Sequence, residues 1–316
     1  MLERDSLPFI IETACDQKDT LKYLSGFFSE KKDWLKEILQ TYGAILFRGN
    51  KIPPEMYGNF LEKLNFEFTS YVGGDSPRTK LDSRVYTSTE YPSDQIIVLH
   101  NELSFSNTYP RYLFFYCGIP AREGGETPLA DGRKLYKRLP PELTQKYKEK
   151  KLKYTMNLHD GQGLGKSWQQ VFETNDKAIV KNILHQRKID FCWKENGVLC
   201  LSEIVQPIIS HPLTKELIFF SQAHQWHSSN LDKQVQEALF KLMPEEEFYH
   251  YVSYADDKPL EREELELTKR VIDEIKVVFD WEEGDILFID NLLAMHGRNP
   301  YKGNRKILLS MANDWQ

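Results

Sequence analysis

Residues 95–120 read QIIVLHNELSFSNTYPRYLFFYCGIP. Two runs rich in Ile, Val, Leu, Phe and Tyr flank the turn-forming residues 107–110, the pattern of two strands joined by a short connection. Inside the first run stands His100-Asn101-Glu102. Side chains alternate across a strand, so an extended HxE stretch projects His100 and Glu102 from one face and offers an imidazole and a carboxylate to one point. Asn101 then points the other way, toward a substrate or into a hydrogen bond with a covering loop.

A third ligand has to come from elsewhere. The strand-like DILFIDN (285–291) runs directly into NLLAMHGRNP, where a turn can hold His296 beside a neighbouring strand. Two imidazoles and one carboxylate on one side of a metal leave positions open, as iron(II) oxygen chemistry requires, whereas a structural zinc site closes with four ligands. Nine residues after His296 comes Arg305, at the start of the strand-like RKILLSMAND (305–314). Its planar guanidinium can grip a carboxylate of a dicarboxylate co-substrate, or form a surface ion pair.

The remaining sequence reads as one domain, 1–316, of many short strands in two packed sheets with helices outside. Trp34, Leu35, Ile38 and Leu39 stand at helical spacing, with Ser29 as candidate N-cap and Gly43 as stop. AILFRG (44–49) reads as a strand and PPEMYGNFLEKL (53–64) as a helix with prolines in its first turn. A charged, largely helical insertion is expected over about 134–186, interrupted by the glycine-rich DGQGLGKSW. Strands follow near 188–192, 198–201 and 217–220, then a helix in EREELELTKRVIDEIKVVFD (261–280).

Composition narrows the function. With 41% hydrophobic and 28% charged residues, 316 residues can bury a sizeable core. A net charge of -6 offers no footprint for nucleic acid. Four cysteines without CxxC spacing fit reduced thiols in a cytoplasm. No apolar run approaches membrane-spanning length, so no membrane partner is expected. GLGKS lacks the glycine that a phosphate-binding loop needs, because position 160 is Asp. His224 and His227, in HQWH, lack the HExxH context of a zinc hydrolase and suit core or pocket-lining roles.

The string HNELSFSNTYPRYLFFYCGIPAREGGETPLADGR (100–133), with VYTSTEYP (85–92) before it, GLGKSWQQVFET (163–174) after it and DILFIDNLLAMHGRNPYKGNRKILLS (285–310) near the end, resembles the TauD/TfdA family of iron(II)/2-oxoglutarate oxygenases. It is most similar to the branch around the syringomycin-biosynthesis hydroxylase. The resemblance covers the chain from about Gly43 to the end. It implies a double-stranded β-helix (jelly-roll) core, with His100, Glu102 and His296 holding Fe(II). It also implies Thr127 of GGETP as a hydroxyl contact to 2-oxoglutarate, Arg305 as partner of its distal carboxylate, and O2 as the other co-substrate.

Two departures from the commoner pattern matter. Glu102 stands where many relatives have Asp, and it leaves no vacancy for the chloride of the related halogenases. Leu309 stands where some members have a further Arg, which disfavours a sulfonate substrate. The resemblance implies hydroxylation of an unactivated carbon in secondary metabolism, on a free amino acid or one tethered to a carrier protein. Desaturation or cyclisation on the same scaffold, and a non-catalytic small-molecule-binding module, are the other readings. Candidate substrate contacts are Asn101, Ser104, Thr87, Ser88, Trp168 with Gln169, and Arg298, for which a role in orienting the metal site is the competing assignment.

Overall fold

A computed structural model of the chain describes residues 7–13, 20–50, 52–69, 78–82 and 84–315. Cys15 lies outside these residues. The largest sheet runs in the order Phe9–Glu12, Ala44–Arg48, Ile286–Asp290, Tyr112–Ile119, Lys306–Trp315 and Phe66–Phe68, and Tyr86–Thr87 also pairs with Lys306–Trp315. Its first pair is parallel and the rest are antiparallel.

This sheet is covered on both sides, so its central strands read as unbroken apolar runs rather than as alternation. Ile45, Phe47, Phe114, Tyr116 and Phe288 point outward into a cluster with Leu24, Phe28, Leu35, Ile38 and Leu39 of the helices Thr20–Glu30 and Lys32–Tyr42. The alternate residues Ala44, Leu46, Leu113, Phe115, Leu287, Ile289 and Leu309 point inward and meet Leu129 and Ala294. Phe114 stacks on Phe288 at 4.4 Å. Each such fully buried side chain contributes about 1.5–3 kcal/mol of transfer free energy.

Leu129 and Ala294 belong to a three-stranded sheet, Ile97–His100, Ala294–Arg298 and Leu129–Asp131. Its other face, through Leu99, Ala130 and Met295, packs into a third apolar layer. That layer includes a four-stranded sheet, Asp190–Trp193, Leu199–Val205, Leu152–Leu158 and His250–Tyr254, and the helix Arg262–Ile275.

Several local expectations need correction. Ser29 caps nothing, because it lies in the last turn of the helix Thr20–Glu30; the next helix begins after Lys31 without a side-chain cap and ends at Gly43. The region expected to be helical holds the helices Gly132–Arg138, Pro141–Lys150, Trp168–Phe172 and Lys177–Arg187, but also the strand Leu152–Leu158, which pairs on both edges. The strand expected through HNELSF stops at His100; residues 102–105 form a turn, with Leu103 at φ 56.

Candidate metal and co-substrate site

The small and large sheets exchange chain at two adjacent crossovers. Ile97–His100 leads through residues 101–111 into Tyr112–Ile119, and Ile286–Asp290 leads through residues 291–293 into Ala294–Arg298. His100 pairs directly with His296 across the small sheet. Two residues from Ala294, His296 shares its inward face and meets the ring of Phe115 at 5.1 Å. The two imidazole centroids lie 4.7 Å apart.

Glu102 reaches the same point from the turn, not from the strand. A ligand atom from each of His100, Glu102 and His296 lies within 4.8 Å of the others, and all three residues are buried. Asn291, fully buried, sets the turn. Its Oδ1 accepts the Glu102 backbone N–H at 2.7 Å, and its Nδ2 donates to the carbonyls of Glu102 at 3.0 Å and Pro110 at 2.8 Å. Asn101 donates back to the Asn291 carbonyl at 2.6 Å. One side chain thus fastens the two crossovers together.

Gly297 permits the close approach of the ligand-bearing strands, since a Cβ there would lie 2.6 Å from the Ile97 carbonyl oxygen. The register shifts at this residue, between His296 and Arg298.

The protonation states suit metal binding. His100 Nδ1 lies 2.9 Å from the Val98 carbonyl, where it donates, so Nε2 keeps its lone pair. Burial, reinforced by His296, lowers the His100 pKa to about 4. Burial raises the Glu102 carboxyl, but Arg78, with further help from His296 and His100, outweighs it and holds the group well below the usual carboxylate range. Arg78 Nη2 donates to Glu102 Oε2 at 2.8 Å, and both side chains are buried. Neutral imidazole and ionised carboxylate are the ligand forms a divalent cation needs.

Beside this trio lies a cavity of about 380 Å³, lined by Arg78, Ser88, Thr127, Arg298, Arg305 and Leu309 among others. Thr127 is buried, and Trp281 Nε1 donates to its hydroxyl at 3.0 Å, leaving the hydroxyl proton for another acceptor. Arg305 Nε donates to the Gly125 carbonyl at 2.9 Å, and its guanidinium lies 5.6 Å from the Tyr301 ring centre. The second glycine of GGETP makes room for it: Gly125 has φ 77, and a Cβ there would press on Ala121 Cβ at 2.9 Å, Tyr301 Cβ at 3.0 Å and Arg305 Cδ at 3.1 Å. Burial, reinforced by the charge of Arg298, lowers the Arg305 pKa to about 10. Among the described residues no carboxylate forms an ion pair with Arg305, so an incoming anion would relieve the cost of its burial.

The other sequence candidates divide. Ser88 and Arg298 line this cavity, and Arg298 fastens the neighbouring loop, its Nη1 donating to the carbonyl of Tyr91 and its Nη2 to those of Pro92 and Gln95. Ser104 donates to Gln222 at 3.0 Å, Trp168 to Asp160 at 3.1 Å, and Gln169 to the same carboxylate at 2.6 Å. Thr87 is engaged with Thr79 and Glu90. With Asn101, these residues serve the scaffold and line neither this cavity nor the one next to it. Asn291, Arg78 and Trp281 escaped the sequence reading. Asn291 alone carried a signal, as a polar residue at the end of an apolar strand.

A larger cavity of about 1180 Å³ adjoins the first, sharing Thr89, Ile97 and His100 with it. Its wall includes Lys166, Gln225, Trp226, Asn230, Tyr249 and His250, with Trp226 stacked on His250 at 4.0 Å. Buried His224 sits beneath, with its Nε2 donating to the Leu99 carbonyl at 2.7 Å.

Comparison with known proteins agrees with this geometry. Solved structures with matching architecture include AAD-2 in complex with Mn(II) and N-oxalylglycine (14% identity, TM-score 0.52, 96% of this chain and 93% of that one). The PvcB protein of Pseudomonas aeruginosa is another (12% identity, TM-score 0.53, 96% and 84%). They establish the fold as the double-stranded β-helix of the 2-oxoglutarate oxygenases. In sequence, the chain is 31% identical over 289 residues to the dapdiamide synthesis protein DdaC of Enterobacter agglomerans, covering 91% of this chain and 87% of that protein. It is 30% identical over 294 residues to a clavaminate synthase-like protein of Arabidopsis thaliana, covering 89% and 84%. The family described as "Taurine catabolism dioxygenase TauD, TfdA family" matches residues 11–312, and the chain belongs to this TauD/TfdA family of dioxygenases, whose cofactor is iron(II) and whose co-substrate is 2-oxoglutarate.

Proposed function

We propose that this dioxygenase hydroxylates an unactivated carbon of a free or carrier-tethered amino acid, or a related small metabolite, in secondary metabolism. His100, Glu102 and His296 hold the iron. Thr127 and Arg305 bind 2-oxoglutarate, with Arg305 on the distal carboxylate. Residues 1–316 act as a single catalytic domain working in the cytoplasm on a small molecule. The relatives named for dapdiamide synthesis and for clavaminate synthase support the metabolic setting.

The observation that carries the reading is one junction: the cavity lined by Arg305 and Thr127 is also lined by His100 and His296, the two imidazoles that cluster with the Glu102 carboxylate. A dicarboxylate with its distal end on Arg305 has its 2-oxo acid end directed toward the metal position. When bound, iron and 2-oxoglutarate supply the oxidising power; the chain orients the reactants and keeps water out. Arg78 holds the Glu102 carboxylate while Asn291 holds its backbone, so the ligand geometry is set beforehand.

Anaerobic addition of iron(II) and 2-oxoglutarate is expected to produce the weak visible charge-transfer band of the chelate in the wild type and none in His100→Ala. No band in either protein would refute the assignment.

A further inference from the structure

The four-stranded sheet carries two free thiols that the metal and co-substrate site does not use. Cys192 and Cys200 stand directly opposite one another where the edge strand Asp190–Trp193 runs antiparallel to Leu199–Val205. At the closed end of this hairpin the Lys194 N–H donates to the Val198 carbonyl at 2.8 Å. Hydrogen-bonded and non-hydrogen-bonded pairs alternate from there, which makes Cys192 and Cys200 a hydrogen-bonded pair. Such pairs hold their Cα atoms about 5.5 Å apart, the commonest spacing across a disulfide. The two thiols are also in hydrogen-bond contact with each other.

Packing does not account for the pair. Phe191, Trp193, Leu199 and Leu201 alternate with it and face the apolar layer, whereas Cys192 is exposed and Cys200 half-buried. A cysteine that serves as a small apolar group is buried, as Cys117 is. Burial, with Cys192 behind it, pushes the Cys200 thiol up to about 11, while the ammonium groups of Lys194 and Lys153 pull it the other way. Cys192 therefore meets an oxidant from solvent first, and Cys200 is placed to resolve the product.

We infer that Cys192 and Cys200 are a reversible oxidation site, closed to a disulfide by a small hydroperoxide and reopened by a dithiol. The Cys192 sulfur attacks one peroxide oxygen. An S–O bond forms, the O–O bond breaks, and the other oxygen leaves with the thiol proton as water or alcohol. The Cys200 sulfur then displaces the hydroxyl of the Cys192 sulfenic acid, which departs with the Cys200 proton as a second water. The thiols give up two electrons and the peroxide gains them. Reduction proceeds by thiol–disulfide exchange, since an exposed bond of this kind is labile. Neither cysteine lines the cavities at His100, so the inference stands independently of the oxygenase reading.

The test uses the full-length protein, reduced, treated with chelator and then exposed to hydrogen peroxide. Remaining thiols are blocked with N-ethylmaleimide, and the chain is digested with trypsin without reduction. Cleavage after Lys194 puts the two cysteines on separate peptides, 189–194 and 195–215. These peptides are expected joined through Cys192 and Cys200, lighter than their sum by two hydrogens, and parted again by dithiothreitol. Cys192→Ser should slow the loss of the Cys200 thiol about tenfold or more, because the protonated thiol is a poor nucleophile. In Cys200→Ser, Cys192 should stop at the sulfenic acid and be captured by dimedone.

Far-UV circular dichroism shows that the variants are folded. Both cysteines still labelled by N-ethylmaleimide after peroxide, Cys192 joined instead to Cys15 or to a second molecule, or Cys200 oxidised as fast in Cys192→Ser as in the wild type overturns the inference.

Discussion

The two cavities that meet at His100 are built by opposite means. The inner one, of about 380 Å³, is set by strand ends and crossovers, and its key side chains each have a second partner: His100 the Val98 carbonyl, Glu102 Arg78, Thr127 Trp281 and Arg305 the Gly125 carbonyl. The outer one, of about 1180 Å³, is walled by residues 89–98, the Lys166 loop, the short helix Ala223–Trp226 and residues 230–231 and 249–250. Groups at strand ends and crossovers, each fixed by a second partner, give the precision that metal and co-substrate chemistry needs. A wall of loops and helix ends can change its guest without disturbing that chemistry.

If this division holds, damage to the inner wall should cost most. Arg305→Ala removes up to two charge-assisted bonds to one carboxylate and is expected to weaken 2-oxoglutarate binding about a hundredfold or more, with Arg305→Lys only a partial rescue. Titrating the charge-transfer band measures it; an Arg305→Ala protein with wild-type affinity would show that the distal carboxylate binds elsewhere.

Asn291→Ala should act one step back from the chemistry. It orphans the buried Glu102 N–H and leaves the carbonyls of Glu102 and Pro110 without their donor. A loss of about 2–4 kcal/mol of stability is expected, with weakened iron binding, because each abandoned buried polar group costs about 1–3 kcal/mol. Chemical denaturation and metal titration would read both effects. Unchanged iron affinity in a folded variant would mean that the turn keeps Glu102 in place by itself.

The smallest effect lies under the outer wall. Burial holds the pKa of His224 at about 4, below its ordinary 6.5. Between these values the unfolded chain takes up a proton that the folded chain does not, so stability falls as pH drops from about 6.5 toward 4. His100 shifts the same way. In chelator-treated protein, thermal melts should show this decline, and His224→Gln should make it shallower. A slope unaffected by the substitution would indicate that the buried ring protonates in place.

Much of the inner wall was legible in the sequence. Strands covered on both faces give unbroken apolar runs, so 44–48, 112–119 and 286–290 stood out, and Arg305 preceded another such run. The HxE pair singled out two residues that the structure does bring together with His296, but by another geometry: an ideal strand would carry Glu102 beside His100, whereas the chain leaves the strand at once. The partner that sets this turn, Asn291, lies 189 residues away, beyond the reach of any local pattern. The outer wall was barely legible. Asn101, Ser104 and Trp168 are polar and close to the motifs, yet their side chains satisfy the scaffold, because sequence proximity does not give direction. Lys166 sits in a glycine-rich loop without periodicity, and only the assembled structure places it at the cavity wall.

The central claim is the shared junction of metal and co-substrate, and diffraction from crystals grown with Mn(II) and N-oxalylglycine, a non-reacting stand-in for 2-oxoglutarate, tests it most directly. The account predicts an anomalous peak ligated by His100, Glu102 and His296, with the distal carboxylate of the analogue on Arg305 and near Thr127. Metal bound away from these three side chains, or an analogue whose distal carboxylate does not meet Arg305, would contradict it.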